Sequence, residues 1–302
     1  MSGADGGGAE LECVLNVSEG RDETVLARLR RAGGAEVLDL HRDADHHRSV
    51  LTLGGETEVV EAAARAVTAA AAELLDLGPH RGAHPRFGVV DVVPFVPLGP
   101  PDDARERATA VEPPSMAGAV AARDRFARWA GEVLEVPCFV YGPLPDGSVR
   151  TLPEIRRSAF VGLAPDAGPS LPHPRLGAVA VGARRLLVAY NLWVAGVGVD
   201  RAKAVAAAIR SPDVRALGLA LGHSLQVSCN LVRPERVGPA QLYDEVAARI
   251  AAEGGRVERA ELVGLVPMSV LEATPEERWA QLDLGPASTI ERRLEERSIR
   301  RR

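Results

Sequence analysis

One pattern of apolar runs and helical stretches occurs twice along the chain, and it constrains the fold more than any single motif. In the first half, LECVLNV (residues 11–17) precedes Asp22, a helix cap for a stretch with Val25, Leu26 and Leu29 on one face that ends at Gly33 and Gly34. AEVLDLH and RSVLTL then read as paired strands before Gly54 and Gly55. Residues 57–77 read as a helix stopped by Gly78 and Pro79, and VVDVVPFV as a buried strand. The second half runs through the strand RRLLVAYNLWV, a helix capped by Asp200 and reaching Arg210, and the strands VRALGLAL and SLQVSCNLV. A helix opened by Pro239, with Leu242, Val246 and Ile250 on one face, and the strand RVERAELVGLV complete it. Two passes of β-α-β-β-α-β predict an α+β chain of two ferredoxin-like, two-layer sandwich subdomains.

Between the passes, Ser115 is placed to cap a helix running to about Leu134, and PCFVYG reads as one more strand. Residues 143–177 carry seven prolines and read as a linker. The expected division is a disordered tail over residues 1–10, a first subdomain over 11–177 including the linker, a second over 178–290, and a polar tail over 291–302, where IERRLEERSIRR is too polar for a core.

Composition narrows the function. A net charge of −5 argues against a general nucleic-acid binder, which needs an excess of Lys and Arg to displace counterions. The three cysteines, Cys13, Cys138 and Cys229, form no CxxC pair, so neither a disulfide framework nor a zinc cluster is expected, and the cytoplasm is the default compartment. Nothing in the chain resembles a signal peptide or a run long and apolar enough to span a membrane. Neither GxGxxG nor GxxxxGK[ST] occurs, so dinucleotide and P-loop chemistry lack support.

The chemistry concentrates in two loops. Five of the seven histidines, His41, His46, His47, His80 and His84, precede residue 85. His80 and His84 have the spacing of a metal-binding HxxxH pair, but Gly82 and Pro85 oppose a helix and no Glu lies between them, so no metal is expected. In HRGAHPRFG, Gly82 frees the backbone and Pro85 fixes it, holding the His84 imidazole beside Arg86. Its ordinary pKa of ~6.5 suits proton transfer in both directions. His46, His47 and His223 read as solvated or carbonyl-capping. The string His-Pro-Arg-x-Gly recurs at 173–177 within GPSLPHPRLG, a loop able to take up an anion or a planar ring.

With these loops in view, the chain resembles the formiminotransferase family from residue 11 to about 271. The resemblance rests on ECVLNVSEG, DADHHRSVLTLGG, HRGAHPRFGVVDVVPFVP, VPCFVYG, GPSLPHPRLGAVAVGARRLLVAYN, LQVSCNLV and AELVGLVP, in order. The family moves a formimino group between N-formimino-L-glutamate and tetrahydrofolate, and its bifunctional animal members add a cyclodeaminase domain. The resemblance implies two α/β subdomains forming a folate tunnel, a homodimer, tetrahydrofolate as co-substrate, no metal, and small-molecule partners only. It puts the general acid/base on His84. Substrate and folate contacts fall on Asn16, Asp39, His41, Arg48, His80, Arg86, Tyr141 and Asn191, and on Gly168, Pro169, Ser170, His173, Arg175 and Gly177 of the linker. Some positions depart from the animal pattern: His41, His47, Ala83 and the Trp193 of Asn191-Leu192-Trp193. Asp39 and His41 share one strand face, so the exchange alters the charge presented to a donor. The expected activity is therefore formimino transfer. The alternatives are a related enzyme using 5-formyltetrahydrofolate, or a non-catalytic folate-binding protein with Trp193 filling the donor site.

Overall fold

A computed structural model describes residues 10–78, 86–99, 115–222 and 224–300, and the chain divides into two units, 1–185 and 186–302. In the first unit the elements run β1 (Glu10–Val17), α1 (Glu23–Gly33), β2 (Val37–Asp43), β3 (Arg48–Glu56), α2 (Thr57–Leu74), β4 (Val90–Pro97), α3 (Ala117–Val133), β5 (Cys138–Pro143), β6 (Val149–Arg150), α4 (Leu152–Ser158) and β7 (Val179–Ala183). Asp22 caps α1, its carboxylate accepting from the Thr24 and Val25 amides, and Gly34 ends the helix with a φ of 64°. Ser115 Oγ accepts from the Ala117 amide at the start of α3. β3 continues through Gly54 and Gly55 to Glu56, because both glycines pair with β1, opposite Glu12 and Leu11.

One mixed sheet orders the strands β2-β3-β1-β4-β7-β5-β6. β4 pairs antiparallel with β1 and parallel with β7, which is itself parallel to β5. All eight residues of β4 are buried, as its unbroken apolar run requires of a central strand covered on both faces. Cys13, Leu15, Val17, Leu51, Leu53, Val93, Phe95, Val179 and Val181 face α1–α3 and form the main core. On the opposite face, α4 lays Ile155 over Val92, Phe139, Tyr141, Ala178 and Ala180 as a second, smaller core.

Two expectations change here. Residues 143–177 do not run as a plain linker: they contain β6 and α4, whose Thr151–Glu154 capping box fixes its start. β7 follows residue 177, where the sequence pattern opens the second half, yet it completes the first unit's sheet. The strand is short and made of small residues, VAVGA, and Gly182 lies directly against the Tyr141 ring of β5, where an added Cβ would meet Cζ at 2.0 Å.

The second unit comprises β8 (Val188–Ala195), α5 (Val199–Ala208), β9 (Val214–Leu221), β10 (Ser224–Leu231), α6 (Pro239–Ala252), β11 (Arg256–Val263), α7 (Met268–Glu272) and α8 (Ile290–Arg300). Its sheet is antiparallel throughout, in the order β11-β8-β10-β9. Tyr190, Leu192, Val227 and Leu262 pack beneath Val205, Leu242, Val246 and Ile250 of α5 and α6. Gly198, not Asp200, is the cap of α5, and Asp200 sits in the first turn. The polar segment expected as a tail forms α8. Ile290 and Arg297 are buried, and Glu291 accepts from the Met268 amide, so a narrow stripe suffices to dock it.

The closeness of α5 to its sheet yields a test. A Cβ on Gly218 would stand 2.5 Å from Lys203 N and 2.6 Å from its Cα, both backbone atoms of α5. Gly218→Ala is expected to push the helix outward and cost about 1–3 kcal/mol, read as a lower midpoint in denaturant unfolding.

Candidate active site

The face of the first sheet turned away from α1–α3 gathers five of the residues singled out in that half, Asn16, Asp39, His41, Arg48 and Tyr141. By the register of two, Asp39 and His41 on β2 stand opposite Thr52 and Val50 on β3, and Asn16 on β1 lies between Val50 and Val92. Arg48 opens β3 on the same face, opposite Asp43. Asn16 Nδ2 donates to the Val14 carbonyl at 3.3 Å. Tyr141 lies on this face of β5, and burial, against the Arg184 charge, pushes its phenol up to about 12, so it stays neutral. Beside it Phe87, Phe139 and Phe160 pack ring to ring, with centroids 5.4 Å and 4.9 Å apart along the chain of contacts. Phe160 takes a left-handed φ of 62°, uncommon for so bulky a residue.

The β2–β3 turn is a polar knot. His46 is buried, its Nδ1 paired with Asp43 Oδ2 and its amide donating to Asp43 Oδ1 at 2.8 Å. His47 adopts a φ of 49° and accepts the Gly20 amide on Nδ1 at 3.2 Å. Gly20 has no room for a side chain, since a Cβ would lie 2.2 Å from the Asp43 carbonyl oxygen. The reading of His46 and His47 as solvated or carbonyl-capping is therefore corrected: His46 braces the turn internally through Asp43, and His47 ties it to Gly20, in the segment that follows β1. His223 lies outside the described residues.

Arg86 ties this knot to the start of β4. Its Nη2 donates to the His46 and His47 carbonyls, while Nε and Nη1 are buried with no hydrogen-bond partner among the described residues. Burial first, and the Arg48 charge second, lower its pKa to about 10, with Asp91 opposing; Arg156 adds further positive charge. Asp91 accepts from Arg156 Nη2 at 2.6 Å and from the Phe87 amide at 2.8 Å. The result is a partly dehydrated cluster of guanidinium groups with spare donors, suited to an anion.

The two His-Pro-Arg-x-Gly strings meet. Gly88 bridges Gly177, the Val89 amide donates to the Leu176 carbonyl at 3.0 Å, and the Ala178 amide to the Phe87 carbonyl at 2.9 Å. A Cβ on Gly88 would stand 2.1 Å from the Ala178 oxygen, and one on Gly177, whose φ is 74°, 2.5 Å from the Phe87 oxygen, so each string needs its glycine for the other to approach. His80 and His84, and with them the assigned acid/base, lie outside the described residues.

In the second string the polar groups hold structure. His173 Nδ1 accepts the Arg175 and Leu176 amides at 3.2 and 3.0 Å. Arg175 reaches back to the Leu75 and Ala72 carbonyls at 3.0 and 2.5 Å, capping the C-terminal end of α2. Both terminal nitrogens of Arg175, expected as a substrate or folate contact, thus also serve as a helix cap. Gly168, with a φ of 82°, packs against Gly131 of α3 and the Val136 carbonyl. Pro169, Ser170 and Leu171 are exposed.

Asn191 belongs to the second unit, on the sheet face away from α5 and α6, where its Nδ2 donates to Glu261. Trp193 shares that face and donates its indole N–H to the same carboxylate, so it is not simple core. Sequence reasoning missed Glu261 and Gln226. The one available signal was the alternation of polar with apolar residues along β10, which puts Gln226 on the face opposite Val227 and Cys229. The three cysteines are buried, and burial raises every thiol pKa, to about 12 for Cys138 and Cys229, which makes them poor nucleophiles. No group of three or more His, Cys, Asp or Glu able to hold a metal occurs among the described residues, and no helix there is long and apolar enough to cross a membrane.

The sequence of the chain is similar to those of known proteins. A family profile described as the formiminotransferase domain, N-terminal subdomain, matches residues 10–184, nearly the extent of the first unit. The chain is 34% identical over 284 residues to the glutamate formimidoyltransferase of Thermoplasma acidophilum, covering 86% of this chain and 89% of the relative. It is 32% identical over 285 residues to the enzyme of that name from Streptococcus pyogenes serotype M1, covering 86% and 90%. The formimidoyltransferase-cyclodeaminase of Gallus gallus is 33% identical over 288 residues, which span 86% of this chain and 51% of that longer protein.

The turn makes a pH prediction. Although burial works against it, bonding to the His46 ring and amide, with the Arg48 charge, lowers the Asp43 pKa to about 2. A carboxyl depressed below its unfolded value of ~3.9 stabilises the fold fully above that pH, and the contribution vanishes as pH falls through about 2. Asp43→Asn is expected to lower stability at neutral pH and to flatten the loss between pH ~4 and ~2 in acid-unfolding curves followed by circular dichroism.

Proposed function

The chain belongs to the formiminotransferase family, a family of transferases, and from that premise we propose that it transfers a formimino group between N-formimino-L-glutamate and tetrahydrofolate. The observation that carries the reading is the match to a glutamate formimidoyltransferase across 86% of this chain and 89% of the relative. In this reading N5 of tetrahydrofolate attacks the formimino carbon. A new N5–C bond forms, the C–N bond to glutamate breaks in the tetrahedral adduct, and the N5 proton ends on the departing amine. The products are 5-formimidoyltetrahydrofolate and L-glutamate.

Both nitrogens exchange protons, which is the work of an imidazole titrating near neutrality, and His84 is assigned that role. The guanidinium cluster supports the anionic part of the reading. Arg86 holds two buried nitrogens beside Arg48 that have no hydrogen-bond partner among the described residues, and a substrate carboxylate would satisfy them. The exposed Pro169 and Ser170 stand as candidate folate contacts, next to a stretch whose end is hydrogen-bonded to residues 87–89. We assign tetrahydrofolate as co-substrate, a ferredoxin-like β-α-β-β-α-β plan to each unit, and the enzyme to a cytoplasmic homodimer in histidine degradation.

Two measurements test this. His84→Ala is expected to lower turnover ~100- to 10,000-fold with an unchanged circular dichroism spectrum, and near-wild-type turnover would remove the assignment. Arg86→Lys, which keeps the charge and loses the fork, is expected to raise KM for the anionic substrate about 10- to 100-fold with a smaller change in kcat. Both assays run with N-formimino-L-glutamate and 5-formyltetrahydrofolate in parallel. Turnover with only the second donor would replace the formimino reading by a formyl one.

A further inference from the structure

The second unit holds a buried polar cluster that the transfer steps above leave unused. Glu261 Oε2 accepts three donors: Trp193 Nε1 at 2.9 Å, Asn191 Nδ2 at 3.1 Å and Gln226 Nε2 at 3.4 Å. Arg259 lies over the Trp193 ring, its Cζ 4.3 Å from the centroid, and its Nη1 is 3.7 Å from Glu261 Oε1. These partners fix the orientation of the Gln226 amide. Its nitrogen end faces the carboxylate, because the flipped amide would set oxygen against oxygen.

The carbonyl end is then the anomaly. Gln226 is 0% exposed, and its Oε1 meets no hydrogen-bond partner among the described residues. A buried acceptor left unmade is costly, and an apolar residue of similar length would avoid that cost on this strand. A chain that holds such an acceptor beside a carboxylate is prepared for a donor that comes from outside.

We propose that Gln226 and Glu261 bind the N–C–N edge of a ligand that carries neighbouring N–H donors. The Gln226 oxygen accepts one N–H, and the Glu261 carboxylate, offset in part by Arg259, favours a donor-rich edge over a carboxylate. The choice of ligand rests on the transfer reading. Such an edge occurs in the 2-amino-4-oxopyrimidine ring of a folate and in the formimino group of the donor, but not in the glutamate tail of either.

The test titrates the full chain calorimetrically with three probes: 6-hydroxymethylpterin, formamidine, and p-aminobenzoyl-L-glutamate, which is the folate tail without the ring. The wild type is expected to bind one of the first two, and which one it binds identifies the edge. Gln226→Met is expected to weaken that probe about tenfold or more and to leave p-aminobenzoyl-L-glutamate unchanged. Equal affinity of wild type and variant for both probes, or binding of neither by the wild type, overturns the proposal. Should Gln226→Met not fold, Glu261→Gln, which keeps the shape and removes the charge, must weaken the same probe severalfold and spare the tail; equal binding there also overturns it. A chain that turns over N-formimino-L-glutamate but binds both probes without regard to Gln226 keeps the transfer reading and loses this site. Gln226-dependent binding in a chain without turnover does the reverse.

Discussion

The close approach of Gly88 to Gly177 organises the first unit. Three segments converge on it. The end of α2 is tied through the Leu77 amide to the Arg175 carbonyl, the start of β4 through Val89 to Leu176, and the end of β1 through the Ser18 amide to the Val89 carbonyl at 2.8 Å. Any side chain at either glycine would push two backbones apart, and β7 could no longer continue the sheet beside β4. The repeated His-Pro-Arg-x-Gly string is therefore two halves of one joint. Each supplies a glycine to the other's backbone, and their polar side chains serve different ends. In the second string His173 and Arg175 fasten the joint, while in the first Arg86 reaches back to the β2–β3 turn.

Charge follows the same division. The chain is negative overall, yet Arg48 and Arg156 sit close enough to Arg86 to add to the burial that lowers its proton affinity. Asp43 and Asp91 offset part of this, but both carboxylates are committed, to His46 and to Arg156 with the Phe87 amide. The two Arg86 nitrogens without a partner among the described residues are what an anionic substrate would meet in the proposed reading. In the second unit the logic inverts: the Gln226 amide oxygen, close to the Glu261 carboxylate, is an acceptor with no hydrogen-bond partner among the described residues.

Much of this was legible in the sequence where the cause is local. Asp22 as a cap, β4 as an unbroken apolar strand, and the shared face of Asp39 and His41 follow from spacing within a few residues. What escaped depends on partners far along the chain. Arg175 caps a helix whose carbonyls lie a hundred residues earlier, and the Glu261 cluster draws on three different strands. β7 was assigned to the second half because its neighbours, β4 and β5, are set by crossover connections that periodicity does not reveal. The terminal helix was hidden by its charge, since one buried isoleucine and one buried arginine are enough to seat it.

The central claim is that the two strings, joined by their glycines, serve one ligand. Hydrogen–deuterium exchange with and without tetrahydrofolate measures it directly, by comparing peptides that cover 79–86 and 168–175. The account predicts that both segments gain protection together, at the same ligand concentration. Protection confined to one of them, with the other unchanged at saturating folate, would contradict it.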